Sequence, residues 1–232
     1  MNVYKEFSFG LGDYLRGCLF LSQLCIHQKK IFLMNYSQHP ICEFLTGGDM
    51  NEISDSIIQF PFEIKNRDDY FQRISFLKQF SQDKIYFEDN SFPLKPMNKN
   101  IVYSVLKQIQ PTDILIQSIQ CYLENLKLEK NNFIIIHLRI GDNTWIKQII
   151  HNYFPFVFFK KSKIIHLGLS KQKDSEGVLD TLTEFFLMNH CREIISFSSY
   201  SHRTSFGEVA SILFNKPFRY FSLLKKQMSI TY

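Results

Sequence analysis

Ile136-His137-Leu138-Arg139-Ile140-Gly141-Asp142-Asn143 decides how this chain is read. It continues the apolar run Phe133-Ile134-Ile135-Ile136, so a strand driven inside by its apolar residues ends by delivering four polar or special residues to one place. Open α/β sheets bind their ligands at the carboxyl ends of the strands. Residues two apart in an extended chain point the same way, so His137 and Arg139 can address one ligand. The arginine fork matches phosphate oxygens and cannot lose its charge, which makes a diphosphate-bearing donor the first substrate class to consider. Gly141 lets the backbone turn or approach closely. Asp142 either orients Arg139 or caps the helical turn that follows. A plain strand end with an Arg–Asp surface pair is the alternative these residues leave open. A metal at His137 lacks a second ligand at suitable spacing.

Working outward, a second polar cluster runs Ser196-Phe197-Ser198-Ser199-Tyr200-Ser201-His202-Arg203-Thr204-Ser205-Phe206-Gly207. It joins a strand (Glu193–Phe197) to a helix (Ser205–Phe214), whose first N–H groups lack intrahelical partners and attract anions. With Arg139 in the same half, it could grip a diphosphate from the other side; an ordinary capping loop is the alternative. Before it, Val178, Leu182, Phe185 and Phe186 form one apolar helical face after a cap at Ser175. Near the N-terminus, Gly10-Leu11-Gly12-Asp13 breaks a weak strand (Met1–Phe9) with a tight turn ahead of a mostly buried helix, Tyr14–His27, and a strand, Lys30–Met34. That is a βαβ unit. Its glycine pattern stops short of a dinucleotide fingerprint, since Leu15 takes the third glycine's place. Asp13 and Arg16 would lie at the helix start, facing a cleft.

Between these ends, Asp69–Phe80 suits a helix and Lys84–Phe87 a strand. Asn90–Asn100 reads as a loop. Asp113–Leu126 reads as a helix made apolar by Ile114, Ile116, Ile119, Leu123 and Leu126. A short segment at 146–150, an aromatic run at 153–159 and a strand at 164–169 follow. Pro217–Leu223 closes the chain as a strand. Strands and helices alternate throughout, which predicts α/β halves over residues 1–105 and 106–232 with a cleft between them.

Composition removes several function classes. Hydrophobic residues make up 45% of the 232, enough for a real core. The net charge of +5 is spread over short runs such as Lys29-Lys30 and Lys225-Lys226. Nucleic-acid binders gather such charge in a stripe, so none is expected as partner. No apolar run approaches the roughly 18 residues that span a bilayer, and Met1–Phe9 has no signal-peptide core. The five cysteines show no Cys-x-x-Cys spacing and read as reduced thiols. A soluble, cytoplasmic protein is the expectation. Neither a P-loop, a Ser-His-Asp order nor an Asp-x-Asp carboxylate pair is present.

His137-Leu138-Arg139-Ile140-Gly141-Asp142 resembles the His-x-Arg-x-Gly-Asp motif of the GDP-fucose-dependent fucosyltransferase superfamily (α1,2-, α1,6- and protein O-fucosyltransferases). Asp180–Cys191 is similar to that group's acidic, Leu-Met-containing helix, Thr204-Ser205-Phe206-Gly207 to its Ser-Gly-Phe-Ser turn, and Gly10-Leu11-Gly12-Asp13 to its glycine-rich opening loop. Ile140 stands where many members carry a second arginine, and Ser205 where the turn has glycine.

The resemblance implies a GT-B fold of two Rossmann-like halves. The donor site would involve His137, Arg139, Gly141, Ser199, Ser205 and Phe206, with Arg139 on the diphosphate and His137 shaping the pocket. The acceptor side would hold Gly10, Gly12, Asp13 and Arg16. It further implies an inverting glycosyltransferase needing no metal or cofactor, with GDP-fucose as donor and a glycan hydroxyl as acceptor. Arg139, Asp13 and Asp142 are the candidate catalytic residues. Two other readings stay open: a non-catalytic sugar-nucleotide or glycan-binding module, and a GT-B enzyme with another nucleotide-sugar donor.

Overall fold

The computed structural model describes residues 2–6, 10–37, 39–50, 57–59, 67–79, 84–88, 91, 93–94, 97–139, 175–198, 205–222 and 227–231. These form an α/β protein whose chain divides into two compact units, the first built mainly from Met1–Ser118 and the second mainly from Ile119 onward.

The first unit opens with the expected βαβ: β1 (Asn2–Glu6), α1 (Leu11–His27) and β2 (Ile31–Asn35), the strands parallel with Val3 opposite Phe32. β3 (Leu45–Thr46), β4 (Ile57–Gln59), α2 (Arg67–Lys78), β5 (Lys84–Glu88), α3 (Lys99–Leu106) and β6 (Gln110–Pro111) follow. The main sheet is parallel throughout, in the order β2-β1-β5-β4. The β1→β2 and β4→β5 crossovers run in the same sense across it, so right-handed connections lay α1 and α2 on one face. The Arg73 guanidinium of α2 accordingly sits 5.4 Å from the Phe20 ring of α1. α1 is buried nearly all round, from Leu11 to Cys25, because α3 covers a further side of it with Ile101 and Val105.

The outer edge of β2 is closed by a side chain. Gln108, 1% exposed, accepts from the Met34 N–H at 2.7 Å and donates to the Phe32 carbonyl at 3.3 Å. Its amide thus occupies the edge as a strand residue would, where free N–H and C=O groups would otherwise template another chain. Gln108→Ala leaves both backbone groups buried without partners and is expected to cost about 2–3 kcal/mol. The urea midpoint should fall at unchanged slope; a midpoint equal to wild type would refute this closure.

The chain continues with α4 (Asp113–Asn125) and α5 (Ser175–Leu187), each divided between the two units, and the second unit holds β7 (Ile134–Arg139), β8 (Glu193–Ser198), α6 (Ser205–Phe214), β9 (Phe218–Ser222) and β10 (Gln227–Thr231). The sheet order is β10-β9-β8-β7, with β7, β8 and β9 parallel and β10 antiparallel. Both parallel crossovers again run in one sense, which puts α5 and α6 on the same face. Phe185 of α5 meets Phe214 and Phe206 of α6 at ring-centroid distances of 5.4 and 5.3 Å. The predicted face of α5 is buried at Val178, Leu182, Phe185 and Phe186.

Several expectations are corrected. The N-terminal glycines do not form a turn: α1 already begins at Leu11, so Gly12 and Asp13 are helical and only Gly10 caps it. Ser175 is the first residue of α5 rather than its cap. Residues 99–106 are helical, capped by the Asn98 side chain, which accepts from the Asn100 N–H at 2.8 Å. In α4 the buried positions are Leu115 and Ile119, whereas Ile114 and Ile116 are exposed. β7 is only half-buried at Ile135 and Ile136, and Ile134 is exposed, since it is the end strand of its sheet among the described residues. The segments expected at 146–150, 153–159 and 164–169 lie outside the described residues. No described helix is long and apolar enough to cross a membrane.

Candidate functional site

The parallel register of the second sheet builds its carboxyl edge in rungs. His137 lies opposite Ser196, which lies opposite Tyr220; two residues further on, Arg139, Ser198 and Ser222 are aligned. Side chains alternate along a strand, so the two rungs share a face. Ser196 and Ser198 are fully buried and Ser222 nearly so, which brings hydroxyls into the buried part of this edge. Buried hydroxyls need partners, and one is supplied across the sheet: His137 Nδ1 and Ser196 Oγ are 3.2 Å apart.

Helix α6 starts at this edge. Its first residue, Ser205, is buried, and the next, Phe206, stacks on the His137 imidazole at 5.4 Å with 28° between planes. Phe185 meets Phe206 edge-on, at 75°. Gly207 lets the helix approach: a Cβ there would stand 3.2 Å from the Phe218 ring, 3.6 Å from Ile194 and 3.7 Å from His137 Nδ1. The edge therefore combines an imidazole, an aromatic ring, hydroxyls and the amino end of a ten-residue helix. Such an end favours anions through its unpaired N–H groups and dipole. Arg139 closes β7 on the rung of Ser198, described through its backbone alone. Gly141, Asp142 and Ser199 lie outside the described residues.

In the first unit, Gly10 precedes α1 in extended conformation (φ −73°), and a Cβ added to it would meet nothing within 4 Å among the described residues. Asp13 and Arg16 form an ion pair at 3.1 Å in the first turns of the helix, with the Arg16 side chain 12% exposed and that of Asp13 37%. An acid in the first turn also complements the helix dipole. Burial pushes the Cys25 thiol up to about 12 and Cys191 to about 11, far from the thiolate that reacts.

Sequence reasoning placed His137, Ser205 and Phe206 in one site, and the structure brings them together. It missed that Ser196 holds His137, that Gly207 lets α6 pack close to Phe218 beside it, and that Ser222 completes the outer rung. Ser196 and Ser198 carried a period-two signal; Ser222 had none, being joined to the site only by β8–β9 pairing.

No protein-family model matches the chain, and no curated protein matches it in sequence. Solved structures do match. NodZ α-1,6-fucosyltransferase soaked with GDP-fucose is similar at a TM-score of 0.59 and 12% identity, over 99% of this chain and 98% of that one. Selenomethionine NodZ from Bradyrhizobium matches at 0.61 and 13%, again over 99% and 98%. A mutant of FUT1 from Arabidopsis thaliana in complex with GDP matches at 0.63 and 10%, over 95% of this chain and 70% of that one. Across nearly its whole length, this chain has the fold of those fucosyltransferases.

Proposed function

We propose that this chain is a glycosyltransferase that transfers fucose from GDP-fucose to a glycan hydroxyl. The observation that carries the reading is the carboxyl edge of β7–β9, where His137, Phe206 and the start of α6 converge, in a chain whose fold matches structures holding GDP and GDP-fucose. In this reading the protein is of the GT-B type. Residues 106–232 hold the nucleotide sugar and residues 1–105 face the acceptor. Among the described residues nothing crowds Gly10, which in this reading lets a ligand approach the backbone at the start of α1.

The chemistry follows from charge. Transfer builds positive charge on the sugar carbon while negative charge grows on the departing diphosphate. Cations and N–H dipoles fixed around that diphosphate stabilise the transition state more than the ground state. Arg139 and the amino end of α6 fill this role without a metal ion. Direct attack by the acceptor hydroxyl inverts the anomeric centre, and it needs a base to take the proton. Asp13, with an accessible carboxylate, and Asp142 are the two candidates.

A thermal-shift panel of GDP, GDP-fucose, GDP-mannose, UDP and UDP-sugars tests the donor. A ligand present at 100 times its Kd adds about 2.7 kcal/mol to stability, a rise of roughly 5–10 °C for a chain of this size. GDP and GDP-fucose should produce it and UDP should not. Stabilisation by uridine nucleotides alone would assign another donor, and no response to any nucleotide would sink the reading. Release of fucose from GDP-fucose by the purified protein separates an enzyme from a binding module.

A further inference from the structure

We infer that Ser196 is a positioning residue for the nucleotide: its hydroxyl fixes the imidazole of His137 in one rotamer and one tautomer. The inference rests on the reading of His137 as part of the donor pocket. Three observations support it. Ser196 is fully buried on β8, directly opposite His137 in the parallel register, with Oγ 3.2 Å from Nδ1. Phe206 lies over the ring and removes its freedom to tilt. Gly207 brings the α6 backbone against the same ring, the site of its Cβ lying 3.7 Å from Nδ1, so the imidazole is packed from this side as well.

A neutral imidazole carries one donor and one acceptor nitrogen, and the partner of one nitrogen decides the role of the other. A hydroxyl can donate to Nδ1 or accept from it, so the direction this bond takes in the folded protein sets whether Nε2 offers or accepts a proton. A planar base edge that must match His137 at Nε2 is recognised only in that state. Ser196 would act on binding without touching the ligand, much as outer partners of metal-ligating histidines set the tautomer of the ligand ring.

Ser196→Cys isolates the effect, since it keeps size and burial while replacing a strong hydrogen-bonding group by a weak one. Calorimetry with GDP should show binding weakened about three- to tenfold, the range of one hydrogen bond's net contribution. In a His137→Ala background the same substitution should have no further effect, because the two residues then act as one unit. Nitrogen-15 spectra of labelled histidine should show one neutral tautomer for His137 in wild type and a mixture in Ser196→Cys. Unchanged GDP affinity in Ser196→Cys, or a loss additive with His137→Ala, overturns the inference. If wild type binds no GDP, the donor reading fails by itself; the histidine spectra still decide, and a tautomer that ignores Ser196→Cys sinks the positioning role.

Discussion

Arg139→Ala should lower fucose transfer about a thousandfold while the protein keeps its wild-type melting temperature. Removing one donor that meets developing negative charge costs about 10²–10³ in turnover, or about 3–4 kcal/mol of barrier. In the proposed mechanism Arg139 has such a place; its backbone closes β7 on the same rung as two buried serines. Ile140 beside it is not a second cation, so the loss has no neighbouring arginine to cushion it. Arg139→Lys should fall between the two, since it keeps the charge and loses the fork. Single-turnover rates with GDP-fucose, beside melting curves for each variant, make the measurement. Near-normal transfer by Arg139→Ala would remove this residue from the mechanism.

Phe185→Ala has the largest expected effect on stability, a loss of about 3–5 kcal/mol and roughly 10 °C in melting temperature. The side chain is 1% exposed and touches three other rings, those of Phe186, Phe206 and Phe214. It ties α5 to α6. Because it also braces Phe206 against His137, GDP binding should weaken in the folded variant. Phe186→Ala is the comparison, for Phe186 packs on Phe185 and Phe214. That change should cost stability and leave GDP affinity near wild type. Equal effects of both variants on affinity would show that Phe206 is held by something other than Phe185.

The candidate site was partly legible in the residues themselves. Strand ends rich in polar groups and a hydroxyl-rich helix start are local signals, and both survive in the three-dimensional arrangement of His137, Ser205 and Phe206. Asp13 and Arg16 were rightly placed near the start of a helix, but the glycines beside them were misread as a turn. Glycine in a sequence marks permission rather than conformation, and packing on α3 and the sheet draws the helix back to Leu11.

The sequence by itself determined the alternation of strands and helices, the buried faces of α1 and α5, and the limits of α6, since hydrophobic periodicity is written into neighbouring residues. Short elements carried too few residues to show a period: β3, β4, β6 and β10 span two to five each. Only the tertiary structure decided which strands pair, and with that every contact between distant residues. Ser196 meets His137 across 59 positions, and Gln108 seals β2 across 74. Such partners are chosen by strand register and helix packing, long-range interactions that no local pattern of side chains encodes.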